Sequence, residues 1–144
     1  MNVIFYSAPG ALQGEKLQRV IEILIPKSKV ETFRSMPALL QRLHQPLPEA
    51  VVFVFLVSGR EELLDLVEHR EWLRDRRLIL VLPDDDAETI SRGHALRPRF
   101  VTYAESDFID ISAVLGKMLS GGGLYSLSPV LATRPDIPGE RSIL

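Results

Sequence analysis

Eight consecutive apolar residues, Ala50-Val51-Val52-Phe53-Val54-Phe55-Leu56-Val57, do most to limit what this chain can fold into. A strand with one wet face would alternate apolar and polar residues. An unbroken run rich in β-branched and aromatic types needs cover on both faces, as in the central strand of a parallel sheet. The run is less than half the length of a bilayer span, so it predicts a buried strand and no membrane association. Arg77-Leu78-Ile79-Leu80-Val81-Leu82 repeats the pattern, and Val3-Ile4-Phe5-Tyr6 and Phe100-Val101-Thr102-Tyr103-Ala104 give shorter versions. Lys29-Val30-Glu31-Thr32-Phe33 alternates instead, as an edge strand would.

Between these runs the apolar period lengthens to that of a helix. Leu17, Val20, Ile21 and Leu24 define a first helix that Pro26 ends. Ser35 can cap a second, with Pro37 in its first turn, Leu39, Leu40 and Leu43 facing inward and Pro46 beyond its end. Leu63, Leu66, Val67 and Leu73 mark a third. The fourth, around Asp86 to Leu96, is poorly patterned and contains Gly93. Asp107 can cap the fifth, whose buried stripe is Phe108, Ile111, Leu115 and Met118. Five strand–helix pairs over residues 1–120 imply an α/β domain of three α/β/α layers, with right-handed crossovers and a five-stranded parallel sheet. With the alternating strand at an edge, the order 2-1-3-4-5 of flavodoxin-like folds fits best.

A chain of 144 residues suits one domain. Seventeen basic against nineteen acidic residues leave a net charge of −2, without the overall positive field that draws proteins to nucleic acid. The absence of cysteine excludes disulfides, thiol catalysis and thiolate metal sites, and His44, His69 and His94 are widely spaced in sequence. The first residues lack the basic and apolar regions of a signal peptide, so a cytoplasmic protein is expected. After Ser120 the composition shifts to Gly121-Gly122-Gly123 and a proline-containing segment over 121–144. That tail is either a disordered terminus or an apolar strap, through Leu124, Tyr125, Leu127, Val130 and Leu131, docking on this domain or on a second copy.

In open parallel sheets, ligands gather beyond the carboxyl ends of the strands. That rule selects the Ser7-to-Gly14 turn, Val57-Ser58-Gly59, Pro83-Asp84-Asp85-Asp86 and Ala104-Glu105-Ser106. The five alternating units, with "VVFVFLVSG" at the third strand, "RLILVLPDD" at the fourth and "PRFVTYAESDFIDISAVLGKML" closing the domain, resemble the receiver domains of bacterial response regulators. The resemblance spans about 120 residues and lies in layout. Receivers place an acidic pair after the first strand, a phosphate-accepting Asp after the third, Thr or Ser after the fourth and Lys after the fifth. The corresponding positions here are Ser7-Ala8, Ser58, Asp84 and Glu105. No carboxylate is expected at the first or third corner to hold Mg²⁺ or accept a phosphoryl group. Glu105 would repel the phosphoryl group that the lysine neutralises. The resemblance therefore implies a pseudo-receiver, without catalytic residues, metal or cofactor.

The opening turn also resembles the phosphate loop of flavodoxins, in which case Ser7, Gly10 and Gly14 would bind the anion of FMN or a nucleotide at a helix amino terminus. Pro9 removes one amide donor from that turn. Asp84-Asp85-Asp86 suits either a divalent cation or, more simply, a cap on the fourth helix by Asp85 or Asp86. Neither Ser7 nor Ser58 lies in the G-x-S-x-G elbow of α/β-hydrolases. Trp72 falls opposite the buried stripe of its helix, beside Arg70, a composition typical of protein contact sites. Trp72, Arg70, Tyr103, Leu124 and Tyr125 form the expected interaction surface, for protein partners or a homodimer. The resemblance adds the fourth helix, fifth strand and fifth helix as the face receiver relatives use for output. The expected function is a non-catalytic interaction module in bacterial signalling or regulation, with FMN or nucleotide binding as the alternative.

Overall fold

The six residues of β3 (Val51–Leu56) are all buried, and the rest of the sheet is organised around them. The computed structural model describes residues 2–9 and 12–119. Its sheet is five-stranded and parallel in the order β2-β1-β3-β4-β5, with β1 Asn2–Ser7, β2 Val30–Phe33, β4 Arg77–Leu82 and β5 Phe100–Tyr103. The helices are α1 Leu12–Leu24, α2 Met36–Leu43, α3 Arg60–Glu68, α4 Ala87–His94 and α5 Ile109–Leu119, and this is a flavodoxin-like layout. Among the described residues no helix is long and apolar enough to cross a membrane.

Successive side chains of a strand point to opposite faces, so each apolar strand feeds two cores. On one face Ile4, Tyr6, Phe53, Phe55, Leu80 and Leu82 pack with Leu39 and Leu43 of α2 and Leu63 and Leu66 of α3. On the other, Phe5, Val52, Val54 and Val81 pack with Leu17 and Ile21 of α1 and Ile111, Leu115 and Met118 of α5. The alternating strand β2 is an edge, and Arg42 of α2 clasps its Glu31 through two hydrogen bonds of 2.8 and 3.2 Å.

Local chemistry sets the helix boundaries. The Ser35 hydroxyl accepts from the Ala38 amide at 3.3 Å, ahead of Pro37. A cap of this kind typically contributes about 1 kcal/mol. α3 is shorter than its apolar spacing predicts. It ends at Glu68, and Leu73 reaches the core from a separate 3-10 turn, Arg70–Leu73. A periodic apolar residue beyond a break satisfies the pattern just as well. Asp86 occupies the N-cap position of α4 but makes no side-chain cap bond; instead the Asp84 carboxylate accepts from the Asp86 amide at 3.0 Å. Gly93, which weakens the sequence signal of α4, is what seats that helix. A Cβ there would lie 3.2 Å from side-chain carbons of Leu80 and Leu82.

Before α5, Phe108 adopts φ 65° with its ring fully buried. Phe108, and not the expected Asp107, holds the N-cap position, its carbonyl accepting from the Ser112 amide, while the Asp107 carboxylate accepts from the Ile109 amide at 3.1 Å from one residue further out.

Candidate functional site

The chain leaves the sheet at its carboxyl edge through short connections, and each expected corner of a receiver-type site lies there. Ser7 ends β1, while Ser58, Asp84 and Glu105 each stand two residues beyond the last residue of β3, β4 and β5. Ala8 is half-buried and directly follows Ser7. Gly14 is buried inside the first turn of α1, and Gly10 lies outside the described residues.

What occupies these corners is a set of contacts between distant parts of the chain. Ser7 is buried, and its hydroxyl accepts from Arg34 Nη1 at 2.9 Å, while Arg34 Nη2 donates to Gln18 Oε1 at 2.6 Å. Arg34 follows the edge strand β2, so a cation reaches across to the end of β1 where receivers hold acids. At the third corner, Glu62 of α3 is the hub. Its Oε1 accepts from the Ser58 amide at 2.8 Å and the Ser58 hydroxyl at 3.1 Å, and its Oε2 accepts from the Tyr6 hydroxyl at 2.6 Å. Ser58 is therefore engaged as a donor, and the carboxylate that engages it also faces the Tyr6 phenol.

Burial, then the hydrogen bond to Glu62, then the charges of Glu62 and Asp65 push the Tyr6 hydroxyl well above the ordinary tyrosine range. The folded state thus holds the Tyr6 proton more tightly than the unfolded chain does. The associated stability is complete below about pH 10, the unfolded value, and is lost as pH rises from there through the folded value. Wild-type protein is expected to show a fall in unfolding free energy above about pH 10 that is shallower in Tyr6→Phe, measured by urea denaturation at stepped pH. Equal slopes in the two proteins would mean that Tyr6 ionises freely in the fold.

At the fourth corner, the Thr89 hydroxyl, then the Asp86 amide, with the Arg60 charge contributing less, hold the Asp84 carboxyl below the usual carboxylate range. Thr89 Oγ1 is buried without a partner at full hydrogen-bonding geometry among the described residues, so its hold on Asp84 is a loose electrostatic one. Arg60 binds Asp86 and Glu88 at 3.2 and 3.1 Å. The acidic run therefore spreads into a turn and an ion-pair cluster. Among the described residues no three His, Asp or Glu side chains are grouped to hold a metal ion.

At the fifth corner Glu105 is exposed and makes no ion pair with any described residue. The loop behind it is fixed from within. Thr102 donates to Asp110 Oδ2 at 2.8 Å, the Ser106 hydroxyl accepts from the Phe108 amide at 2.9 Å, and the Gln13 side-chain amide donates to the Ala104 carbonyl. Lys16 Nζ stands 5.9 Å from the centre of the Phe108 ring, within cation–π range.

The expected interaction surface divides. Tyr103 pairs with Leu82 at the finish of β4 and is half-buried, whereas Arg70 and Trp72 precede Arg77 at the start of that strand. Trp72 is 47% exposed with one face stacked on His44 at 4.2 Å, and His69 lies 5.8 Å from His44. Histidines far apart in sequence thus share one aromatic cluster. Leu124 and Tyr125 lie outside the described residues.

Sequence reasoning missed Tyr6, Arg34, Glu62 and Asp110 as the residues that fill the corners. Glu62 carried one usable signal, since it stands three residues after Gly59, the N-cap of α3, at the position from which a first-turn carboxylate reaches back toward the amides before the helix, here that of Ser58. No family model, no curated protein and no solved structure matches this chain.

Proposed function

We propose that this domain is a receiver-like interaction module of bacterial signalling or regulation that works without phosphorylation. The observation that carries the reading is the Ser58–Glu62–Tyr6 contact. In a sheet of order 2-1-3-4-5, the corner at the end of β3 holds a serine whose amide and hydroxyl are both engaged by a carboxylate of α3. The end of β1 supports the same reading, with Arg34 and Ser7 in place of an acidic pair. A divalent cation would meet a guanidinium there, and a phosphoryl donor would meet no free nucleophilic carboxylate. Function then falls to surfaces that bind other proteins.

Addition of Mg²⁺ and beryllofluoride to isotope-labelled protein is expected to leave the amide spectrum unchanged around residues 7, 58, 84 and 105. Saturable shifts centred on Ser58 would overturn the proposal. A rise in melting temperature with FMN or a nucleotide that Arg34→Gln or Ser7→Ala abolishes would instead assign the Ser7-to-Gly14 turn to that ligand.

A further inference from the structure

The sequence holds two arginine-bearing stretches, "REWLRDRR" before β4 and "RGHALRPRF" running into β5. Because β4 and β5 are neighbours and parallel, their starts lie side by side, and the structure brings the two stretches together around an open cleft of about 730 Å³. This is the amino edge of the sheet, at the opposite ends of the strands from Ser58 and Asp84.

Among the described residues, Arg70, Arg74, Arg76, Arg97 and Arg99 line the cleft against a single carboxylate, Asp75. Five arginines against one aspartate give a formal charge of +4 in a chain whose net charge is −2. Leu73 and Leu96 are buried and anchor the two loops, which turn through left-handed residues at Asp75, φ 61°, and Arg97, φ 53°. Elsewhere Arg42, Arg60 and Arg92 are matched to carboxylates. Here the guanidinium groups of Arg70 and Arg76 reach only the carbonyls of Val67 and Pro48, and the side chains of Arg74, Arg97 and Arg99 have no hydrogen-bond or ion-pair partner among the described residues. Like charges gathered in a concavity without counter-charges repel one another, and their shared field is what a multivalent anion would relieve.

We propose that this cleft binds a compact oligophosphate. Planar guanidinium groups match phosphate oxygens through paired hydrogen bonds, and several converging arginines favour a ligand with closely spaced phosphates. The volume falls within the range of roughly 300–1,000 Å³ usual for small-molecule sites. An acidic peptide carries its charges at wider, flexible spacing, and single-stranded RNA is usually met by an extended basic track. The basic groups here are confined to two loops. The site is independent of the carboxyl-edge corners, so it stands or falls separately from the pseudo-receiver reading.

Trp72 sits within the first of these loops but stacks on His44 and does not line the cleft, so binding is read from backbone amide shifts. Titration of the full chain with sodium tripolyphosphate at physiological ionic strength is expected to give saturable amide shifts confined to residues 70–76 and 94–99. Arg74→Gln and Arg99→Gln should each weaken binding about tenfold or more, as loss of a charge-assisted hydrogen bond does. Neither should lower the melting temperature, because neither side chain has a hydrogen-bond or ion-pair partner to lose and each substitution removes one of the mutually repelling charges. Arg92→Gln, whose arginine is paired with Glu88, should bind as wild type does. ATP binding equal to that of tripolyphosphate would assign recognition to the phosphates alone, and tighter binding would give the base a share; both fit the proposal. Absence of saturable binding, indifference to both cleft variants, or tighter binding of hexaglutamate or single-stranded RNA would overturn it.

Discussion

Phe55→Ala is expected to lower the unfolding free energy by about 3–5 kcal/mol, the usual cost of emptying a buried phenylalanine site. The ring is fully buried in the middle of β3, 5.4 Å from that of Phe53, and the strand is hydrogen-bonded to a neighbour on each side. Neither sheet nor helices can close the void without breaking the registers of Phe55 with Tyr6 and with Leu80. Since single domains are stable by only about 5–15 kcal/mol, the variant would sit near the edge of folding. Urea denaturation should show a lower midpoint with unchanged slope. A loss below about 1 kcal/mol would mean that this face is loosely packed.

Phe108→Ala is expected to cost a similar amount, about 3–5 kcal/mol, because its ring is enclosed between α1, α5 and the sheet. The backbone adds a further test. At φ 65° a side chain costs roughly 1–2 kcal/mol, which alanine keeps and glycine removes. Phe108→Gly should therefore be more stable than Phe108→Ala, by less than that amount because glycine also gains freedom when unfolded. The reverse ranking would show that the left-handed turn belongs to the phenylalanine and not to the loop. Wild type should exceed both.

The layout was legible because local pattern and global role agree at the elements that set it. Val51 to Leu56 are apolar without interruption because both faces are covered, and Ser35 with Pro37 announces α2 in the same chemistry that caps it. The end of α3 was not legible, since Leu73 keeps the period while His69 breaks the helix. The corners were legible as positions but not as contacts. Tyr6 and Glu62 are 56 residues apart, and Arg34 meets Ser7 across 27. Which donor finds which acceptor depends on rotamers and strand neighbours that no local pattern encodes. The arginine cleft was hidden for a related reason. The run around Trp72 reads as the exposed face of its helix, a protein contact surface, until the loop leading into β5 sets Arg97 and Arg99 beside it.

The pairing of β1 with β3 also bears on how the chain reaches this state. Val3 lies beside Val52 and Phe5 beside Val54, so the inner seam of the sheet joins β1 to a strand that emerges much later than it from the ribosome. Until then β1 can pair only with β2, a four-residue strand with no fully buried position. Closing so long a loop is entropically costly before any contact offsets it, which makes parallel seams of this kind slow to form. The nascent chain therefore carries Val3 to Tyr6 half-sheltered for the whole interval, and that interval is when chaperone capture of this protein should be strongest.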